Sequence, residues 1–176
     1  MTGLARAEAV TLLEEGHKAL QAVFARLSAD EMTRPATIGT GAWSAKDLLG
    51  HIAFWEELAT ETVAAWRAGR RPPTEGSLAG AWEGADAANA RNQARTAAQS
   101  LEEVRHRADA AHRAVMEAIR ALPEEEWRAP PLYPGARAAT LGDLLGRVLE
   151  APAGPFEHAS AHLADLRAYV ALLSRR

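Results

Sequence analysis

Four long segments of the sequence carry apolar residues at intervals of three and four positions, and this spacing limits the folds that the chain can adopt. In the first segment, steps of four and three place Leu13, His17, Leu20, Phe24 and Leu27 on one side of a helix. The four segments cover about residues 3–27, 44–68, 100–122 and 156–173. Alanine, the best helix former, is abundant, whereas the β-branched residues that favour strands are sparse. We predict an all-α protein, an up-and-down four-helix bundle with short accessory helices at about 85–98 and 140–149.

Local signals mark the ends of these segments. Pro35, Gly39 and Gly41 predict a loop over residues 28–43. Ser44 and Ser100 are each followed three positions later by an acidic residue, the pattern of a capping box at the start of a helix. We expect the last helix to run without a break from about Phe156 to Leu173.

Length and composition predict one domain over residues 1–176. A chain of 176 residues with 48% hydrophobic content can bury a sufficient core without covalent staples. The sequence contains no cysteine, which excludes disulfides, thiolate nucleophiles and cysteine-bound zinc.

Charge and hydropathy disfavour two classes of partner. The net charge is −3, and the only basic run is "RAGRRPP" from Arg67 to Pro73, so we expect no nucleic-acid partner. No stretch of 18 or more apolar residues exists, so we expect no membrane partner. The N-terminus shows no signal peptide, and the expected location is cytoplasmic.

Two histidines lie four residues apart near the start of the last predicted helix. In "FEHASAH", His158 and His162 are one helical turn apart and project from the same face. Two imidazoles in that arrangement can bind one metal ion at about 2.0–2.1 Å from each nitrogen. The spacing alone also fits two surface residues or two partly buried core residues.

A third histidine strengthens the metal-site hypothesis. His51 lies within the apolar stretch "LLGHIAFWEE" of the second predicted helix, where a solvated role is unexpected. Helical bundles build metal sites from inward-facing residues on neighbouring helices. Three protein ligands leave a coordination position open, which is typical of catalytic rather than structural sites.

The remaining polar and aromatic candidates have simpler interpretations. We expect His17 to be a core histidine, His112 to pack beside its helix seam, and His106 to be solvated. Tryptophans at these spacings are more often core residues than ligand-binding ones, a reading that covers Trp43, Trp55 and Trp66. Three carboxylates stay open between a supporting role at the metal and a solvated position: Asp165, Glu157 and Glu56.

The stretches "WSAKDLLGHIAFWEE" and "FEHASAHLADLRAYV" resemble segments of the DinB/YfiT-like superfamily of metalloenzymes. The resemblance extends to the order of helices over nearly the whole chain. It implies that His51, His158 and His162 are a metal triad for a divalent ion, usually nickel or zinc. Relatives include the N-terminal domains of mycothiol-dependent maleylpyruvate isomerases and, more distantly, ClbS/DfsB-like four-helix bundles. The isomerases carry a glutamate where His158 stands here.

The resemblance also implies a class of reaction. Some members of the superfamily transfer low-molecular-weight thiols such as bacillithiol, mycothiol or glutathione. The first hypothesis is therefore a metal-dependent thiol S-transferase acting on an electrophilic small molecule, with hydrolysis as a variant of the same site. The alternative is a non-catalytic metal-binding or stress-related helical protein. No catalytic residue other than the metal ligands is predicted, and a homodimer is expected because members of the superfamily often dimerise.

Overall fold

The protein is helical throughout the residues that the structure, a computed structural model, describes: 3–39, 43–76 and 84–175. The helices are α1 (Arg6–Phe24), α2 (Ala29–Thr33), α3 (Ala45–Arg67), α4 (Pro73–Gly76), α5 (Gly84–Ala97), α6 (Leu101–Arg120), α7 (Glu124–Trp127), α8 (Leu141–Val148), α9 (His158–Ala161) and α10 (Leu163–Leu173). The described ranges contain no strand, only isolated bridges that join Ile38 to Trp43 and Ala151 to Gly154. The predicted all-α class is confirmed, while the up-and-down order of a four-helix bundle stays a prediction.

Three helices begin at a serine whose side chain and a following carboxylate satisfy the free backbone amides. The capping boxes predicted at Ser44 and Ser100 are both present. A third, formed by Ser28 and Glu31, starts α2 inside the segment predicted as loop, so that part of the prediction was wrong. Met32 on this short helix is fully buried, and its burial helps to hold α2 against the core.

The last predicted helix is divided in two, and it begins later than expected. Phe156 has a φ of +64°, a left-handed conformation that a helix cannot include. Its ring is 1% exposed and stacks on Trp127 at 5.8 Å between ring centroids, so tertiary packing stabilises this conformation. At His162 the backbone amide bonds Ala159 O, three rather than four residues back, and this tight turn separates α9 from α10.

Helix α3 lies at the centre of the packing. It contacts α6, α5, α8 and α4, while α1 packs against α6, α9 and α10. The apolar side chains form two clusters, one around Trp127 and Phe156 and the other around Met32 and Leu166. None of the helices in the described ranges combines the length and the apolar character needed to cross a bilayer.

The contact between α3 and α5 is unusually close beside His51. A Cβ atom added to Gly50 would lie 2.5 Å from Thr96 Oγ1, so the glycine allows this approach. Asn92 of α5 donates a hydrogen bond of 3.1 Å to the carbonyl oxygen of Gly50. The two helices are thereby fixed relative to each other where the candidate site begins.

Candidate metal centre

The three histidines singled out in the sequence lie together, and we refer to His51, His158 and His162 as the three-histidine cluster. His51 is 5% exposed in the middle of α3. His158 is the first residue of α9, and His162 lies at the junction of α9 and α10; both are half-buried. The break in the last helix therefore occurs at a member of the cluster.

The ring nitrogens of the cluster converge. Each residue offers one nitrogen, and the three atoms lie within 4.8 Å of one another. Nε2 of His51 and Nε2 of His158 face each other at 3.0 Å. Two nitrogens at about 2.1 Å from a shared ion lie roughly 3.0–3.4 Å apart for bond angles of about 90–110°. The donor set and this distance fit one transition-metal ion.

Burial keeps these imidazoles in the neutral form that metal binding requires. Burial, with smaller effects from the charges of His158 and His162, lowers the pKa of His51 to about 3. Burial and the charge of His162 lower the pKa of His158 to about 3. Burial also lowers the pKa of His162, and the Asp165 charge opposes this change. All three rings are therefore uncharged at neutral pH.

The His51 ring has few polar contacts outside the cluster. Its Nδ1 is buried and forms no hydrogen bond of ordinary geometry within the described residues, although an interaction with the Asn89 side chain opposes the lowering of the His51 pKa by burial. Without an ion, the short contact between His51 and His158 requires a hydrogen on one of the two facing Nε2 atoms. Metal binding and this hydrogen bond exclude each other, because the ion uses both lone pairs.

The cluster forms part of the wall of a pocket of about 430 Å³. Trp43 and Trp55 also line this pocket, and their rings lie 4.9 Å and 6.3 Å from the His51 ring between centroids. Trp66 is buried as predicted, while Trp43 and Trp55 are half-buried, pack against the apolar clusters and also line this pocket. A smaller pocket of about 170 Å³ adjoins the first and shares Trp55 and Arg147 with it.

Three polar pocket residues were missed in the sequence, and one of them is Glu150, which lies exposed after the end of α8. Asn89 on α5 accepts a hydrogen bond of 3.2 Å from Trp55 Nε1, and Arg147 on α8 lies exposed at the pocket wall. Both lie on helices that the sequence marks only as accessory. No spacing pattern connects them to His51, so no signal in the chain could have identified them.

The other candidates lie elsewhere. His106 is exposed, as predicted. Asp165 is exposed and makes no hydrogen bond to His162 among the described residues, so its influence there is electrostatic. Glu157 precedes α9 without capping it through its side chain. Three further residues, His17, Glu56 and His112, form a separate group on another side of α3.

The sequence matches a protein-family model over most of its length. A model of the DinB superfamily matches residues 12–150. The chain belongs to the DinB superfamily. The match includes His51 and ends before His158 and His162. No curated protein matches the sequence significantly.

Solved structures of three other proteins share this fold. An uncharacterised protein from Escherichia coli UTI89 matches with a TM-score of 0.74 and 13% identity, over 97% of this chain and 95% of that one. A Streptococcus pneumoniae protein gives a TM-score of 0.72 and 14% identity, over 97% and 92% of the two chains. A mycothiol-dependent maleylpyruvate isomerase gives 0.70 and 16%, over 94% of this chain but 63% of the isomerase. The resemblance to the superfamily inferred from the two histidine-containing stretches is confirmed.

Proposed function

We propose that the protein is a divalent-metal-dependent enzyme that transfers a low-molecular-weight thiol to an electrophilic small molecule. His51, His158 and His162 hold the ion, zinc or nickel, in this proposal. The observation that carries it is the convergence of three neutral imidazoles, one buried and two half-buried, at the wall of a pocket. When bound, a divalent ion lowers the pKa of a coordinated thiol or water, so the nucleophile forms near neutral pH.

The ligand set favours catalysis over a purely structural role. Three neutral imidazoles leave both positive charges of a divalent ion uncompensated by the protein, and they leave a coordination position open. An anionic ligand such as a thiolate is therefore favoured at that position. The buried rings also keep their lone pairs available at neutral pH, because their pKa values lie well below 7.

The pocket offers surfaces for both parts of such a reaction. A volume of about 430 Å³ lies within the usual range for small-molecule sites. Trp43 and Trp55 provide aromatic faces for an apolar substrate. Arg147 makes no ion pair with any described residue, and its guanidinium can bind a carboxylate of the thiol or of the substrate.

One of the similar structures supports the class of cosubstrate. That protein is a mycothiol-dependent maleylpyruvate isomerase. Because identity to this chain is 16%, the likeness concerns the fold, and the thiol for this protein is part of the proposal.

The test is turnover by protein stripped of metal and reloaded with Zn²⁺ or Ni²⁺. Bacillithiol, mycothiol and glutathione are each offered with an activated aryl halide and with an epoxide, and consumption of free thiol is followed. We expect metal-dependent turnover that His162→Ala abolishes and His106→Ala leaves unchanged. Metal binding without turnover on any pair would support a non-catalytic metal-binding protein instead.

Arg147 gives a sharper test of substrate binding. Arg147→Gln should raise KM for a carboxylate-bearing thiol while leaving kcat nearly unchanged. A neutral thiol of similar size should show no change in KM. Equal effects on the two thiols would remove the proposed role of Arg147 in charge recognition.

A further inference from the structure

A second group of ligand-type side chains lies between three helices, and we call it the His–Glu–His cluster: His17 on α1, Glu56 on α3 and His112 on α6. Each residue offers one ligand atom, and the three atoms lie within 4.8 Å of one another. The two imidazoles are stacked, with ring centroids 3.5 Å apart and planes inclined by 9°. The superfamily resemblance does not account for this cluster.

Two atoms of the cluster already lie at about the distance that separates two ligands of one metal ion. His112 Nδ1 and Glu56 Oε1 are 2.8 Å apart and share a hydrogen bond. Two ligands at about 2.1 Å from one ion and about 90° apart are separated by roughly 3.0 Å. An ion can therefore take the place of the hydrogen in this contact, with the imidazole proton held on Nε2.

The burial of Glu56 gives a reason for a cation to bind. Its side chain is 6% exposed, and a buried carboxylate is costly unless a partner compensates its charge. Burial raises the pKa of Glu56, and the hydrogen bond and charge of His112 oppose this effect. A divalent ion would compensate the carboxylate more fully than a neutral imidazole does.

The cluster can be reached from the surface. His112 lines a surface depression of about 650 Å³, together with two exposed carboxylates, Glu14 and Glu117. Arg113 and Arg120 line the same depression and balance these carboxylates, so the entrance carries no net charge and does not repel a hydrated cation.

We propose that His17, Glu56 and His112 form a second binding site for a divalent transition-metal ion of the Zn²⁺ class. Two imidazoles and one carboxylate are an established donor set for such ions. Binding requires the stacked rings of His17 and His112 to tilt apart, so that both lone pairs point to one position.

This site is separate from the three-histidine cluster. Glu56 follows His51 by five positions on α3, which corresponds to a rotation of about 140° and a rise of about 7.5 Å. The two clusters therefore face different neighbours, and neither proposal depends on the other.

The experiment counts Zn²⁺ ions per chain, by dye competition, in the full chain stripped of metal. The parent should bind two. A His158→Ala/His162→Ala double variant should bind one, which isolates the second site. Adding Glu56→Gln or His17→Phe to this background should weaken the remaining binding by more than about 100-fold, since losing a ligand costs more than losing a residue that supports one.

The substitutions are chosen to preserve shape. Gln keeps the size of Glu56 and its hydrogen bond to His112, while Phe keeps the ring stack of His17 without its nitrogens. His106→Ala, on α6 with His112, is the matched control and should leave one ion bound. Zn²⁺ should also raise the Tm of the background variant and of this control, but not of the other two.

If the His158→Ala/His162→Ala variant takes up no Zn²⁺, the proposal of a second site is wrong. Binding that both Glu56→Gln and His17→Phe leave unchanged would also overturn it. If one of these variants loses its helical circular dichroism, the other decides the result. Whether the double variant loses one ion relative to the parent tests the three-histidine cluster separately.

Discussion

The three-histidine cluster and the His–Glu–His cluster differ in charge and in surroundings. The first has only neutral donors and faces a pocket with aromatic walls and an exposed arginine. The second includes a buried carboxylate and lies between three packed helices. A divalent ion in the first would retain two positive charges, whereas an ion in the second would retain one. The difference indicates that the first is suited to an added anionic ligand and the second to a stabilising ion.

The largest expected effect is a loss of metal affinity at the three-histidine cluster alone. His51→Ala should weaken Zn²⁺ binding at the three-histidine cluster by more than about 100-fold, because one of three ligands is lost. His158→Ala should have a similar effect although it lies on another helix. Dye competition measures both Zn²⁺ affinities in a Glu56→Gln background, in which the His–Glu–His cluster should no longer bind the ion. His51→Ala protein that binds as tightly as that background would remove His51 from the site.

In the metal-free protein, a substitution in the His–Glu–His cluster should reduce stability more than a substitution in the three-histidine cluster. Glu56→Ala leaves His112 Nδ1 without its partner and opens a cavity at a buried position, so it should lower the free energy of unfolding by about 3 kcal/mol. His158→Ala removes a half-buried ring and leaves His51 Nε2 without its contact at 3.0 Å, so it should cost about 1–2 kcal/mol. Denaturant unfolding in the presence of a chelator measures both values. Equal costs would show that the two clusters are not energetically distinct.

The close contact between α3 and α5 should affect the first cluster more than the second. Gly50→Ala places a Cβ atom 2.5 Å from Thr96 Oγ1, so α5 must shift, at a cost of about 1–3 kcal/mol. Because Asn89 lies on α5, the pocket beside His51 changes with it. We expect a several-fold loss of Zn²⁺ affinity in the His17→Phe background and none in the His158→Ala/His162→Ala background. Equal losses in both would indicate a global distortion.

Acidification should distinguish Glu56 from the histidines of both clusters by sign, because burial also lowers the pKa of His17, to about 4. The folded-state pKa values of His51 and His158 are about 3, below the ordinary 6.5, so their neutral forms stabilise the fold fully above pH 6.5. This contribution is lost as the pH falls from 6.5 toward 3, at roughly 1 kcal/mol per pH unit for each group. Burial raises the pKa of Glu56 above 4.5, so its contribution is present below 4.5 and lost as the pH rises through the folded value.

The measurement is the unfolding free energy of metal-free protein between pH 7 and 4. Replacing His158 and His162 with alanine should flatten the loss of stability on acidification. Glu56→Gln should remove the opposing contribution and make the loss steeper. A parent protein whose stability does not change below pH 6.5 would contradict the lowered histidine pKa values.

Local signals in the sequence were sufficient to predict the helical class and the starts of several helices. Apolar spacing and capping serines are local signals, and α3 and α6 begin where Ser44 and Ser100 predict. The sequence also identified the members of the three-histidine cluster, because His51 interrupts an apolar stretch and His158 and His162 are one turn apart. Their common role as metal ligands stays a prediction.

The other features of the fold and of the two clusters depend on contacts between residues that lie far apart in the chain. The left-handed Phe156 and the break at His162 depend on packing against residues such as Trp127, which lie far away in the chain. In the sequence nothing connects Glu56 with His112. In the fold, α3 and α6 bring Glu56 Oε1 and His112 Nδ1 to 2.8 Å from each other. Local periodicity specifies which face of a helix is buried, but the neighbour of that face is set by how the whole chain packs. For that reason the pocket residues Asn89 and Arg147, and the second cluster, became visible only in the fold.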